Sequence, residues 1–186
     1  MIGFAMCGSF CTHKHALAQM KLLLENGREI LPIMSENVYS TDTRFGTSRQ
    51  LIDEVEQICG RRVVHTIVGA EPLGPSIALD AMVICPCTGN TLAKMASGIT
   101  DTSVTMAAKA HLRSDRPLVI ALATNDALSA NLKNIGQMLT KKHVYFVPMS
   151  QDDPQKKPHS LVADFSLVLP ALEAAEQGKQ YQRIFK

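Results

Sequence analysis

Short apolar runs alternate with longer amphipathic segments along almost the whole chain, and few folds accept that pattern. Apolar runs of about four to eight residues have the length of buried strands, and helical stretches between them return the chain to the start of the next parallel strand. Strands are expected at 1–7, 29–34, 63–68, 81–85, 118–123 and 144–147. A helix is expected over 13–26, where Ala16, Leu17, Met20, Leu23 and Leu24 share one face and Gly27 supplies the stop. Further helical spacing runs through 50–59, 91–96, 102–112, 128–139 and 167–177, while 35–48 is polar and 69–75 is too rich in Gly and Pro to be regular. The stretch 149–160, with its Pro, Lys and Asp residues, is expected to be an exposed excursion before the last helix. Right-handed crossovers then give a single α/β domain over 1–186, a doubly wound, mostly parallel sheet of five or six strands with helices on both faces.

Composition removes several classes of function. A chain of 186 residues, 46% hydrophobic and 19% charged, buries too much apolar surface to be disordered and suits one domain. The formal charge of +2 gives no electrostatic case for nucleic acid. No apolar run approaches the roughly 20 residues that cross a bilayer. The apolar start at 1–6 lacks a basic flank and reads as a strand, and five cysteines without a secretory leader point to reduced thiols in the cytoplasm.

The chemistry-bearing residues fall at strand ends. Pro86-Cys87-Thr88-Gly89-Asn90-Thr91 follows the apolar run 81–85 and opens a helix, so hydroxyl, amide and unpaired N–H groups face the crevice where open α/β sheets bind ligands. Gly8-Ser9-Phe10-Cys11-Thr12 lies between the first strand and helix. It has one glycine, so neither a dinucleotide fingerprint nor a Walker loop is present; a monophosphate such as that of FMN suits it, and so does an ordinary helix cap. Ser35 and Glu36 end the second strand, as ligand contacts or as a plain cap, and Thr124-Asn125-Asp126 ends the 118–123 strand. All these clusters share one rim. The cysteine spacings match no zinc site and read as small buried hydrophobes; His13 and His15 read as exposed polar residues. His65, His111, His143 and His159 form no triad or metal pattern, and no catalytic residue is assigned.

These residues carry a resemblance. The order Gly8-Ser9, Ser35, Pro86 to Lys94, Gly98-Ile99-Thr100-Asp101 and Ala123-Thr124-Asn125 resembles the flavoprotein family of homo-oligomeric flavin-containing cysteine decarboxylases, over residues 1 to about 147. Pro86, Asn90 and Thr91 match that family's Pro-Ala-Ser-Ala-Asn-Thr signature. The resemblance implies a Rossmann-like flavoprotein fold and FMN, its phosphate at Gly8, Ser9, Phe10 and Ser35 and its ring bordered by Pro86, Cys87, Thr88, Asn90 and Thr91.

Two departures bear on activity. Pro72 stands where the decarboxylases have a histidine, eight residues ahead of the aspartate that corresponds to Asp80, and Leu122-Ala123-Thr124-Asn125 keeps only the asparagine of the family's carboxylate clamp. The Cys7 to Thr12 start, the Glu71 to Pro75 segment and the Pro-Cys-Thr-Gly-Asn-Thr form resemble one branch of the family. That branch works beside a separate dehydrogenase-like subunit and forms pyridine-2,6-dicarboxylate in the mother-cell cytoplasm of sporulating bacteria. The resemblance then implies a small dicarboxylate substrate held by Thr88, Asn90 and Asn125, NAD(P) only through the dehydrogenase-like subunit, and homo-oligomers, trimeric or dodecameric. A redox-silent scaffold and an FMN-dependent decarboxylase are the alternatives.

Overall fold

Strands that read as unbroken apolar runs are those covered on both faces. In the computed structural model, which describes residues 1–186, β1 (Ile2–Met6) and β3 (Ala81–Cys87) are buried at every position, and β4 (Leu118–Thr124) at all but its last. With β2 (Ile30–Met34) they form the parallel order β2-β1-β3-β4, in which Phe4 sits beside both Pro32 and Val83. β5 (Val144–Phe146) pairs in parallel with the first half of β4. The end of β4 pairs antiparallel with β7 (Leu161–Ala163), which pairs in turn with β6 (Met149–Ser150). The sheet thus has seven strands where five or six were expected, two of them in or beside the 149–160 stretch expected to be an exposed excursion; only 151–159 loops out.

Alternation along the strands divides the interior in two. Phe4, Met6, Val83, Cys85 and Val119 pack with Met20 and Leu23 of α1 (His13–Glu25), Val55 of α3 (Ser48–Cys59) and Leu172 of α8 (Val168–Glu176). Ala5, Met82, Ile84 and Ile120 pack with Leu92 of α5 (Gly89–Ala96), Val104 of α6 (Ser103–Leu112) and Ile135 of α7 (Leu132–Leu139). Each fully buried aliphatic or aromatic side chain contributes about 1.5–3 kcal/mol, so the two layers fix the sheet from both sides.

Local chemistry explains where the elements differ from expectation. The 63–68 segment is not a strand: only Val64 bridges to Ile33, and Thr66 caps a helical turn, α4 (Ile67–Ala70), by accepting from the Gly69 N–H at 3.0 Å. The cap overrides the β preference of Ile67 and Val68, whose side chains face solvent. Ser35 likewise starts a short helix, α2 (Glu36–Ser40), inside the polar 35–48 stretch. Helix α7 begins at Leu132 and not at 128, because Ser129 and Asn131 donate backbone N–H bonds to the Asp126 carbonyl and form a turn. The capping box of Thr47 and Gln50 starts α3 two residues ahead of the expected 50, and the left-handed Gly60 ends it. No helix is long and apolar enough to cross a membrane.

From β1 the chain crosses to β2 on one side, and β3 lies on the other. The carboxyl ends of β1 and β3 therefore flank the topological switch point, where open sheets form their crevice.

Candidate functional site at the strand ends

Backbone pairing sets the floor of the crevice. The Cys7 N–H donates to the Pro86 carbonyl at 3.1 Å, so the ends of β1 and β3 are joined just below the two loops. Thr91 is buried there, its hydroxyl 3.3 Å from the Cys7 sulfur. Pro86 and Cys87 are buried as well, and so stand behind the rim. Burial pushes the Cys7 thiol up to about 11 and the Cys85 and Cys87 thiols higher, so all three are protonated packing groups; Cys11 alone is exposed.

The loop after β1 turns through Gly8 and Ser9 into a 3₁₀ turn, Phe10–Thr12, that feeds α1. Within it the Thr12 hydroxyl donates to the Ser9 carbonyl at 2.8 Å, and the N–H groups of Gly8 and Ser9 donate to no carbonyl. His13 corrects the expectation of an exposed residue: it is 7% exposed, with Nε2 2.8 Å from the Cys7 carbonyl. Burial lowers its pKa, so the neutral ring donates through Nε2 and ties the start of α1 to the end of β1.

Thr88 caps α5, its Oγ1 accepting from the Thr91 N–H at 3.2 Å, which leaves the first N–H groups of the helix facing the crevice. Across from it, the turn after β4 is held by Asp126. Its carboxylate accepts from the Thr124 hydroxyl at 2.6 Å and from the Asn131 amide at 2.9 Å, while Asn134 donates to Asn131 at 2.8 Å. The Thr124 hydroxyl first, and then Asn131, hold the Asp126 carboxyl below its usual pKa against the opposing effect of burial. Gly89 lies against this cluster so closely that a Cβ there would come within 2.5 Å of the Asn131 amide nitrogen and 2.6 Å of the Thr124 hydroxyl. Asn125 is thereby carried, exposed, on a fixed turn beside α5.

These loops enclose a cleft of about 710 Å³ lined by Ser9, Thr88, Asn90 and Asn125, so four of the expected site residues meet. Its other wall was not expected. Asp152, Lys157, Asp164 and Phe165 come from the excursion and the β7 end. Lys157 pairs with Asp152 at 2.7 Å and Lys186 with Asp164 at 3.0 Å, so cations offset both carboxylates, and His15 stacks on Phe165 at 5.8 Å between ring centres. Phe10 turns instead to a second cleft, of about 830 Å³, between α1 and the segment 41–54. Ser35 is buried beneath that side, 3.4 Å from the Val38 N–H it caps. Gly8 adjoins the first cleft without lining it.

Residues 1–164 match the flavoprotein family model. The chain belongs to the flavoprotein family. Among its relatives in that family is the B subunit of dipicolinate synthase from Bacillus subtilis (strain 168), 43% identical over 183 residues that cover 98% of this chain and 92% of the relative. The crystal structure of the dipicolinate synthase B subunit from Bacillus halodurans C superimposes with a TM-score of 0.91 at 44% identity, covering 100% of this chain and 95% of that one. A second solved flavoprotein, the FMN-dependent cysteine decarboxylase SpaF, has a TM-score of 0.66 at 25% identity and covers 94% of this chain and 95% of its own. The resemblance read from the residues and the Rossmann-like fold it implied both hold.

Of the departures from the decarboxylases, Ala123 and Thr124 line the rim cleft itself, whereas Pro72 lies away from it. Asp80, just before β3, accepts from the Met1 amino group and from Arg116 at 3.1 Å, at the amino ends of the strands. The Pro72 loop packs at the same edge, where Gly74 abuts Ala110 and Ser114 at the end of α6.

Proposed function

We propose that this flavoprotein binds FMN and a planar dicarboxylate at the rim cleft and acts with the dehydrogenase-like A subunit of dipicolinate synthase. The pair would oxidise a dihydrodipicolinate-level precursor to pyridine-2,6-dicarboxylate. The observation that carries the proposal is the convergence of Ser9, Thr88, Asn90 and Asn125 from three strand ends on one cleft, in a chain 43% identical to a dipicolinate synthase B subunit over nearly its whole length.

The donor set suits such ligands. The Gly8 and Ser9 N–H groups have no internal carbonyl partner, the Ser9 hydroxyl stands beside them, and the volume of about 710 Å³ lies within the roughly 300–1,000 Å³ usual for cofactor sites. When bound, FMN supplies a ring that accepts a hydride. Thr88, Asn90 and Asn125 present a hydroxyl and two amides to the substrate carboxylates, each charge-assisted bond being worth about 1.5–3 kcal/mol. The stacked His15 and Phe165 form part of the cleft wall on that side. NAD(P) enters only through the dehydrogenase-like subunit. Decarboxylation is not part of the proposal, since the Pro72 position offers no proton donor and sits away from the cleft.

The purified pair of subunits, given the dihydro precursor, is expected to form product with the ultraviolet band of pyridine-2,6-dicarboxylate, and Asn125→Ala to slow this at least tenfold. An equal rate of product formation when this chain is omitted would refute the proposal. Bleaching of bound flavin without an external acceptor would assign the hydride to FMN; an unchanged flavin spectrum during turnover would assign it to the nicotinamide of the dehydrogenase-like subunit.

A further inference from the structure

Three helices on one sheet face leave a pocket that shares no residue with the rim cleft. It has a volume of about 340 Å³ and lies between the carboxyl end of α5, the length of α6 and the carboxyl end of α7. Its floor is apolar: Met95, Ala108 and Met138 belong to the buried core, and Leu112 packs against it. Its edge is cationic, formed by Lys109, Arg113 and Lys141, and no Asp or Glu lines it.

Two observations point to a ligand. None of the three cations takes part in a salt bridge. The nearby carboxylates are engaged elsewhere, Asp101 with Lys94 at 2.8 Å and Asp115 with Lys142 at 3.1 Å. Second, α5 ends in a Schellman cap, with Gly98 at φ +73°, its N–H on the Met95 carbonyl and the Ile99 N–H on the Lys94 carbonyl at 2.8 Å. The apolar residue after such a glycine usually packs on the last helical turn. Here Ile99 stays 46% exposed and stands as a wall of the pocket.

We propose that this pocket binds a small organic acid, one or two carboxylates on a compact apolar body. The helix carboxyl ends offset part of the positive charge but leave Ile99 uncovered. An inorganic anion would leave Ile99 wet, and a neutral apolar molecule would leave the cations unused. A volume of about 340 Å³ suits a small molecule, near the lower bound of about 300 Å³ for ligand pockets.

The test uses the full chain carrying ¹³C-methyl methionine, with Met95→Leu and Met138→Leu to assign the two floor methyls, titrated with naphthalene-2-carboxylate. Saturable shifts are expected at Met95 and Met138, with Met20 on the opposite sheet face unmoved. Arg113→Glu should raise the half-saturating concentration at least tenfold, and Lys141→Gln should raise it less. Equal affinity for the neutral 2-naphthylmethanol, equal shifts with inorganic phosphate, or no saturable shift at either floor methyl would each overturn the proposal. So would an Arg113→Glu variant that loses thermal stability but binds the acid unchanged, since the cations would then serve only the helix ends.

Discussion

Asp126 shows how one side chain prepares a site it does not line. Its carboxylate takes the Thr124 hydroxyl and the Asn131 amide, and Gly89 of the neighbouring helix rests against that knot, so the Asn125 turn and the amino end of α5 are held as one body. Asp126→Ala strips the acceptor from both donors and is expected to cost about 1–3 kcal/mol in urea unfolding. Gly89→Ala drives a methyl into the same atoms and should cost about 1–3 kcal/mol by overpacking, with weaker ligand binding in both variants. Because the folded pKa of Asp126 lies below its unfolded value, its contribution is full above the ordinary carboxylate range and is lost as pH falls below about 4. Unfolding midpoints between about pH 5 and pH 2 should therefore fall less steeply in Asp126→Ala than in the parent; parallel slopes would show that the carboxylate is not held in its charged form. The residues visible from sequence were those at strand ends, Ser9, Thr88, Asn90 and Asn125, because a parallel sheet gathers its carboxyl ends on one rim whatever its detailed packing. The Asp126 network and the buried His13 depend on side chains meeting across loops, and no spacing in the chain announces them.

Elements followed the sequence where burial on both faces left an unbroken apolar run, as in β1, β3 and β4, and departed from it where a side-chain cap competed. Thr66 turned an apparent strand into a helical turn, and Ser35 did the same in a stretch with no helical period. β7 escaped notice because three residues carry no readable period and its partner, the end of β4, is distant in sequence; with it went the Asp152 and Asp164 wall of the cleft. The junction between α6 and β4 carries a pH dependence of its own. His111 is buried, its Nε2 bonded to the Pro117 carbonyl at 2.9 Å and its Nδ1 without a partner, so a second ring proton would have no acceptor. Burial lowers the pKa of His111, as it does that of His13, below the ordinary 6.5. The sign follows from linkage: the unfolded chain binds these protons first, so their contribution is full above about pH 6.5 and is lost as pH falls toward the folded values. Stability measured from about pH 7 to 5 should decline, and His111→Gln should flatten that decline while lowering stability at pH 7. A slope unchanged in the variant would exclude His111 as its source. At the rim, Thr88→Ala should cost about 1 kcal/mol as a lost helix cap, with Thr88→Ser close to the parent in the same unfolding assay.

At the scale of the molecule, residues 178–186 close one flank of the sheet. Gln180 clamps β5 with its side chain, accepting from the Phe146 N–H at 3.0 Å and donating to the Phe146 carbonyl at 2.6 Å. The backbone of Ile184 and Lys186 pairs with Met149 of β6. Covering an edge in this way satisfies its backbone groups and blocks pairing with other chains. Gln180→Ala should lower stability by about 1–2 kcal/mol and raise light scattering on heating; an unchanged melting and scattering profile would show that the clamp contributes nothing. The strap also brings Lys186 to Asp164, so the flank and the cleft wall are built from the same contact. What the whole arrangement is proposed to hold is FMN, and the most direct test is the visible absorption spectrum of the purified protein before and after adding FMN, with Asn90→Ala alongside. The expected result is a flavin spectrum perturbed by the parent protein and retained through dialysis, but weakened or lost in Asn90→Ala. A spectrum identical to free FMN, with no flavin retained by the parent protein, would contradict the proposal.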